Sequence, residues 1–349
     1  MNPRILRPSS DVSSLYIHIP FCQRKCFYCD FFSVVGEHST LEAYTDALCK
    51  ELRCKSMGVD EIKTIYVGGG TPTILHDACL GRIFASIREH YRISDDAEIS
   101  VEANPGTVDK SKADLLLSLG VNRLSLGIQS LNETELRILG RIHSADEAVR
   151  SLQIIRGTGF TNISVDLMYG IPGQSFDTWR ETLAEIIAYR PEHISTYALT
   201  PEKGTPLRDD IAKVDEEVVL EMYAYAIDCL SESGFEQYEI SNFAQSGFRC
   251  SHNVNYWNRG RYLGAGAGAH SHVNGTRSRN IEDIDAYIAR LNNSLSPEME
   301  SIEIPPEVCH KEFLFLGLRK TQGINIREAE IMGLDVLTAG RDMIRSGYL

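Results

Sequence analysis

The sequence predicts an α/β fold: a partial (β/α)6 barrel over residues 1–245, followed by a small, mainly helical C-terminal region over residues 246–349. Three observations carry that expectation. Six short runs rich in β-branched and aromatic residues alternate with longer amphipathic stretches between residues 14 and 200. No low-complexity tract or block of like charge interrupts the series. The repeating unit is lost after "SNFAQSGFRCSHNVNYW", where a glycine-rich strip and short helical patterns take over.

The elements follow in order. "SLYIHI" (14–19) is the first strand and 41–57 the helix after it; "KTIYV" (63–67) precedes a helix at 75–92, and "EISVEA" (98–103) one at 109–119. "RLSLGIQ" (123–129) is paired with 144–156, "ISVDLMY" (163–169) with 177–189, and "HISTYAL" (193–199) with 215–233. Strand-then-helix units joined by right-handed crossovers give either a doubly wound sheet or a barrel, and six near-equal repeats favour a partial barrel. Beyond it lies "YLGAGAGAHS" (262–271). Residues 307–349 resemble a three-helix or winged-helix module that stops at "SGYL", where a wing hairpin would begin, which reads as a short tail or a clipped chain.

Composition narrows the function classes. The 35 Lys and Arg stand against 48 Asp and Glu, a net charge of −13, so non-specific attraction to nucleic acid is not expected. The opening "MNPRILRPSSDVSS" lacks the apolar run of a secretory leader, and no stretch approaches the length of a membrane span; a cytoplasmic protein without stable membrane insertion is expected. Nine cysteines at irregular spacing suit metal or redox chemistry better than a disulfide framework.

Three of the nine fall within eight residues, "CQRKCFYC" (22–29), in the loop after the first strand. Structural zinc takes four closed ligands, usually as two pairs, and here only His18 or His38 could add a fourth to Cys22, Cys26 and Cys29. Inert buried thiols would be oddly interleaved with Arg24 and Lys25. A [4Fe–4S] cube is normally held by four thiolates, and three would leave one iron open. The other polar residues fall at strand ends: "GGGTP" (68–72), Glu102, Gln129, Asp166 within the fifth strand, and Ala198 to Thr200. In a parallel barrel these open on one face together with the cysteine loop.

The C-x3-C-x2-C spacing with Tyr28 before the last cysteine resembles the radical S-adenosylmethionine (SAM) superfamily. That resemblance implies a [4Fe–4S] cluster whose open iron chelates SAM, and reductive cleavage of SAM to a 5'-deoxyadenosyl radical. It also implies site roles: Gly69, Gly70 and Thr71 at the methionine end, Glu102, Gln129, Arg141 and Asp166 on carboxylate, ribose and nearby polar atoms, and Tyr16, Tyr28 and Ala198 along the pocket. "YIHIPFCQRKCFYCDFFS", "YVGGGTPT", "VEANPGTV", "LSLGIQS" and "DLMYGIPGQ" are similar to the branch that contains oxygen-independent coproporphyrinogen III oxidase (HemN) and the haem chaperone HemW.

Two departures point to the chaperone side of that branch. The oxidase carries a further cysteine two residues after the third, where this chain has Phe31, and a longer N-terminal extension. "HNVNYW" (252–257) matches an H-N-x-x-Y-W pattern associated with haem handling, making His252, Tyr256 and Trp257 the haem candidates, with His270 and His272 behind them. The resemblance implies delivery of haem to respiratory haem proteins without coproporphyrinogen oxidase activity; an oligomer is compatible. The alternatives are the oxidase itself and a radical SAM enzyme acting on another small molecule.

Overall fold

The computed structural model describes residues 12–346. Most of the opening stretch "MNPRILRPSSDVSS" and the closing "GYL" lie outside the described residues. The six strands stand at the expected places: β1 Ser14–Ile19, β2 Ile62–Gly69, β3 Ile93–Ala103, β4 Arg123–Gln129, β5 Ile163–Tyr169 and β6 His193–Ala198. They pair in parallel in strict sequence order, with Tyr16 opposite Tyr66, Glu102 opposite Ser125 and Asp166 opposite Ser195. Sequential order without a switch in winding is the mark of barrel curvature rather than a doubly wound sheet. The arc stays open, so the barrel is partial.

The crossover helices are α1 His38–Lys55, α2 Asp77–His90, α3 Lys110–Ser118, α5 Ala145–Gly157, α6 Phe176–Ala188 and α7 Glu216–Glu232. An additional short helix, α4 Glu133–Ile138, precedes α5; the Asn132 side chain accepts from the Thr134 and Glu135 amides and so starts it. Ser144 and Glu147 close a reciprocal capping box on α5.

Alternation along the strands sets up two environments. Ile17, Val67, Val101, Leu126, Val165 and Ile194 face the helices and are fully buried. Each such side chain contributes roughly 1.5–3 kcal/mol relative to exposure. The intervening residues, Tyr16, His18, Tyr66, Glu102, Ser125, Asp166, Ser195 and Tyr197, face the hollow of the arc. The hollow is therefore polar and aromatic, which is the composition of a ligand cavity and not of a closed apolar barrel core.

The region after residue 245 is mainly helical, and it adds strands that the glycine-rich and charged stretches concealed. The main sheet is extended beyond β6 by β7 Asn242–Ala244, which lies just ahead of this region, runs antiparallel to β6 and pairs in turn with Glu236–Gln237, and beyond β1 by the parallel strand β8 Leu263–Ala265. A second, antiparallel sheet comprises β9 His270–Val273, β10 Thr276–Asn280 and β11 Glu298–Glu303. Helices α8 Ser251–Trp257, α9 Ile284–Asn292 and α10 Pro306–Gly317 accompany them, with three shorter helices to residue 345.

Candidate cluster and cofactor site

The cysteine loop is clamped from both sides of the arc. The Phe27 amide donates to the Leu139 carbonyl at 3.0 Å, and the Leu207 amide donates to the Phe27 carbonyl at 3.2 Å. Phe27 and Tyr28 pack against a small apolar cluster of Leu139, Ile171, Leu199, Leu207 and Ile211. From below, His18 receives Tyr16 at one ring nitrogen (2.9 Å) and meets the Phe32 carbonyl with the other (3.0 Å). Segments after β1, β4 and β6 thus hold one loop over the C-terminal mouth.

Cys22, Cys26 and Cys29 are free thiols, all partly exposed at that mouth. The Thr71 hydroxyl lies 3.6 Å from Cys22 Sγ, and the Arg141 guanidinium donates to Cys26 Sγ at 3.4 Å. Among the described residues no three His, Cys, Asp or Glu side chains converge as ligands of a single ion. His18 has both nitrogens engaged, and His38 faces His76, so neither histidine completes a zinc tetrad. A cube takes each thiolate on a different iron, a set of donors more widely spaced than those of one ion, and three such thiols are what it would need here.

Thr71 and Arg141 are joined by Asn104, which the sequence reading passed over. Its amide donates to Thr71 Oγ1 at 2.8 Å, and Arg141 donates to its carbonyl oxygen at 2.6 Å and to the Gly127 carbonyl at 2.5 Å. The available signal was "NPG" directly after a strand, a turn in which an asparagine side chain is placed by its own backbone. Arg141 Nε is buried without a partner, a donor left for a ligand in a cavity lined also by Cys26, Thr71 and Asn104.

"GGG" has a steric reason. A Cβ on Gly68 would stand 2.7 Å from the Glu102 carboxylate; at Gly69, φ is +105° and a Cβ would enter the His18 imidazole. The Gly69 amide donates to Glu102 Oε2 at 3.0 Å. Deeper in the hollow, burial raises Glu102 to about 7, opposed by hydrogen bonds from Tyr66 and Gly69 and reinforced by Asp166. Burial also raises Asp166, against Ser195, Arg123 and Ser125. Two carboxyl groups poised to ionise beside a cation suit a ligand bearing ammonium and hydroxyl groups.

Gln129 closes β4 with φ +71° at a register shift against β5, an unusual backbone for a non-glycine residue. Ala198 ends β6 at the same mouth. The second set of residues lies elsewhere. His252 sits on α8, near the N-terminal ends of the strands: Thr64 meets its Nδ1 at 2.8 Å, Tyr256 its Nε2 at 2.9 Å, and Glu98 accepts the amides of Ser251 and His252. It is wholly buried and stacked 5.3 Å from Tyr66, and burial followed by the field of Arg123 lowers it to about 3. The arrangement is that of a neutral core histidine with both nitrogens occupied. Trp257 lies under Arg319, 4.5 Å from its ring centre.

Residues 16–186 match the family model described as the Radical SAM superfamily. The chain is 36% identical over 322 residues to the "Heme chaperone HemW" of Bacillus subtilis, covering 90% of this chain and 85% of that protein. It is 39% identical over 266 residues to the "Heme chaperone HemW" of Escherichia coli, covering 74% and 70%. It is 34% identical over 335 residues to the zebrafish (Danio rerio) mitochondrial "Radical S-adenosyl methionine domain-containing protein 1", covering 91% and 75%. Among solved structures, coproporphyrinogen III oxidase (HemN) from E. coli, described as a radical SAM enzyme, shares the fold with a TM-score of 0.83 at 23% identity, over 97% of this chain and 83% of that one.

Proposed function

We propose a haem-chaperone function from the premise that this chain belongs to the radical SAM superfamily and, within it, to the family of the heme chaperone HemW. In this reading the protein binds haem, carries a [4Fe–4S] cluster with SAM, and delivers haem to haem-requiring respiratory proteins. The observation that carries it is the extent of the likeness to the B. subtilis chaperone, which runs through nine tenths of this chain and so includes the post-barrel region as well as the barrel.

Cys22, Cys26 and Cys29 would hold the cluster, leaving it open to SAM. When bound, the cluster and SAM supply one-electron chemistry; the chain supplies position and electrostatics. Gly69, Gly70 and Thr71 present backbone and hydroxyl to the methionine end. Arg141, with its unpartnered Nε, takes a carboxylate or ribose oxygen, and Asn104 keeps its guanidinium aimed there. Glu102 and Asp166 take the cationic and hydroxyl groups, Gln129 and Ala198 edge the mouth, and Tyr16 and Tyr28 bound the pocket. Among the described residues no helix is long and apolar enough to cross a membrane.

The test uses anaerobically reconstituted protein. Haem titration gives a protein-bound Soret band, and coproporphyrinogen III incubated with SAM and reductant is recovered unchanged. Conversion to protoporphyrinogen would replace this reading with that of the oxidase.

A further inference from the structure

Arg123, the first residue of β4, is a charged side chain at the floor of the hollow. It alternates with Leu124 and so faces inward like Ser125, one inward step, about 7 Å of strand, below it. The residue is 2% exposed. Its Nε is buried without a partner, and among the described residues its guanidinium makes no ion pair and no hydrogen bond. A guanidinium keeps its proton at any ordinary pH, and taking it out of water with no counter-ion in contact is costly. Its charge is therefore balanced through the field of the hollow.

The acids around it differ in how far they are committed. Glu98, on β3, is turned to the start of α8, where it accepts the Ser251 and His252 amides at 3.0 and 3.2 Å and the Cys250 thiol at 3.6 Å. Burial keeps that thiol protonated, pushed up to about 12. Glu102 and Asp166 remain. Ser100 is opposite Arg123 and Ser125 opposite Glu102 in the parallel register, and Ser125 Oγ lies 3.3 Å from Asp166 Oδ2, so both carboxyl groups stand above the Arg123 position on the inner face. The contacts that hold them are neutral: Tyr66 and the Gly69 amide on Glu102, Ser125 on Asp166.

The titratable and charged groups that face Glu102 are Tyr16 from β1, Tyr66 from β2, Arg123 from β4, Asp166 from β5, Tyr197 from β6 and Tyr256 from α8. Arg123 is the cation of that set. Asp166 is faced by Glu102, Tyr66, Tyr197, Arg123 and Arg141. Burial raises both acids, and the field of Arg123 opposes that rise at each.

We infer that Arg123 is a positioning residue of the SAM pocket: from the floor of the hollow its charge keeps Glu102 and Asp166 as carboxylates, the form that accepts from the ammonium and hydroxyl groups of SAM. The inference rests on the SAM reading and names the residue that sets its working pH range. Arg123 acts through the two acids. Glu102 ionises as pH rises through about 7, so SAM affinity falls as pH drops through that value, and loss of Arg123 moves the fall to higher pH.

Two titrations test it: calorimetry of anaerobically reconstituted protein with SAM across pH, and carbon-13 resonance of the Glu102 carboxyl in SAM-free protein, with Glu102→Gln for assignment. Arg123→Gln and Arg123→Met, neutral with and without a polar end, move both midpoints up by about one pH unit. They weaken SAM binding roughly threefold near pH 7.5 and converge on wild type above about pH 9. Loss of packing alone would lower affinity equally at every pH. Midpoints equal to wild type, a displacement in one variant and not the other, or an affinity loss independent of pH overturns the inference and leaves the SAM reading intact. Wild-type protein that binds no SAM at any pH overturns both.

Discussion

Tyr66 donates its hydroxyl to Glu102 Oε1 at 2.8 Å across the neighbouring strands β2 and β3. The bond places a carboxyl group deep in the hollow, where solvation is poor but the cavity side remains open. Burial raises it from the ordinary 4.5 to about 7. A raised value in the fold means that the folded state holds this proton more tightly than the unfolded chain. The associated stability is complete below pH 4.5 and is lost as pH rises to about 7. Glu102→Gln should therefore be more stable than wild type at pH 8, by on the order of 1–2 kcal/mol after allowing for the open side of the cavity. Urea melts of both proteins at pH 5 and pH 8 check this; parallel pH dependences refute it.

Replacing any one of Cys22, Cys26 and Cys29 by alanine should abolish cluster assembly, since two thiolates rarely retain a cube. Iron and sulfide analysis after anaerobic reconstitution is the measurement, and wild-type iron content in a variant counts against the ligand set.

Asn104→Ala should weaken SAM binding roughly tenfold while leaving iron content unchanged, because it frees Arg141 and Thr71 without touching a thiol. Calorimetric titration of the reconstituted variant separates this from a cluster defect. An affinity equal to wild type would show that the Asn104 bridge has no bearing on SAM.

Gly69→Ala meets two obstacles together, a positive φ and the His18 ring. Destabilisation of about 1–3 kcal/mol is expected. His18 links β1 to Phe32, so the cysteine loop should also become more accessible to protease. A melting temperature within error of wild type would exclude the clash.

His252→Ala should lower stability by about 2–4 kcal/mol, since it removes a fully buried ring, takes away the partner of the Tyr256 hydroxyl and leaves Thr64 with Ser14 alone. At a temperature where the variant is folded, its haem Soret maximum should match wild type. A displaced maximum would return His252 to the iron.

The sequence alone was sufficient for the repeating architecture and the cluster loop. Strand and helix periodicity are local properties, so all six barrel strands lie within a few residues of their expected places, and "CQRKCFYC" carries three donors in one short loop. The same alternation held the polar lining of the hollow, legible once the strands are known to share a face. What depended on tertiary structure was which polar atoms had already found partners. Asn104 matters through Thr71 and Arg141, 33 and 37 positions away in the chain. His252, prominent in its motif, is satisfied by Thr64 188 positions earlier, while His272, ranked behind it in the sequence, keeps a vacant nitrogen. Side-chain type is written in the chain, but whether a lone pair is free depends on neighbours that only folding brings within hydrogen-bond reach.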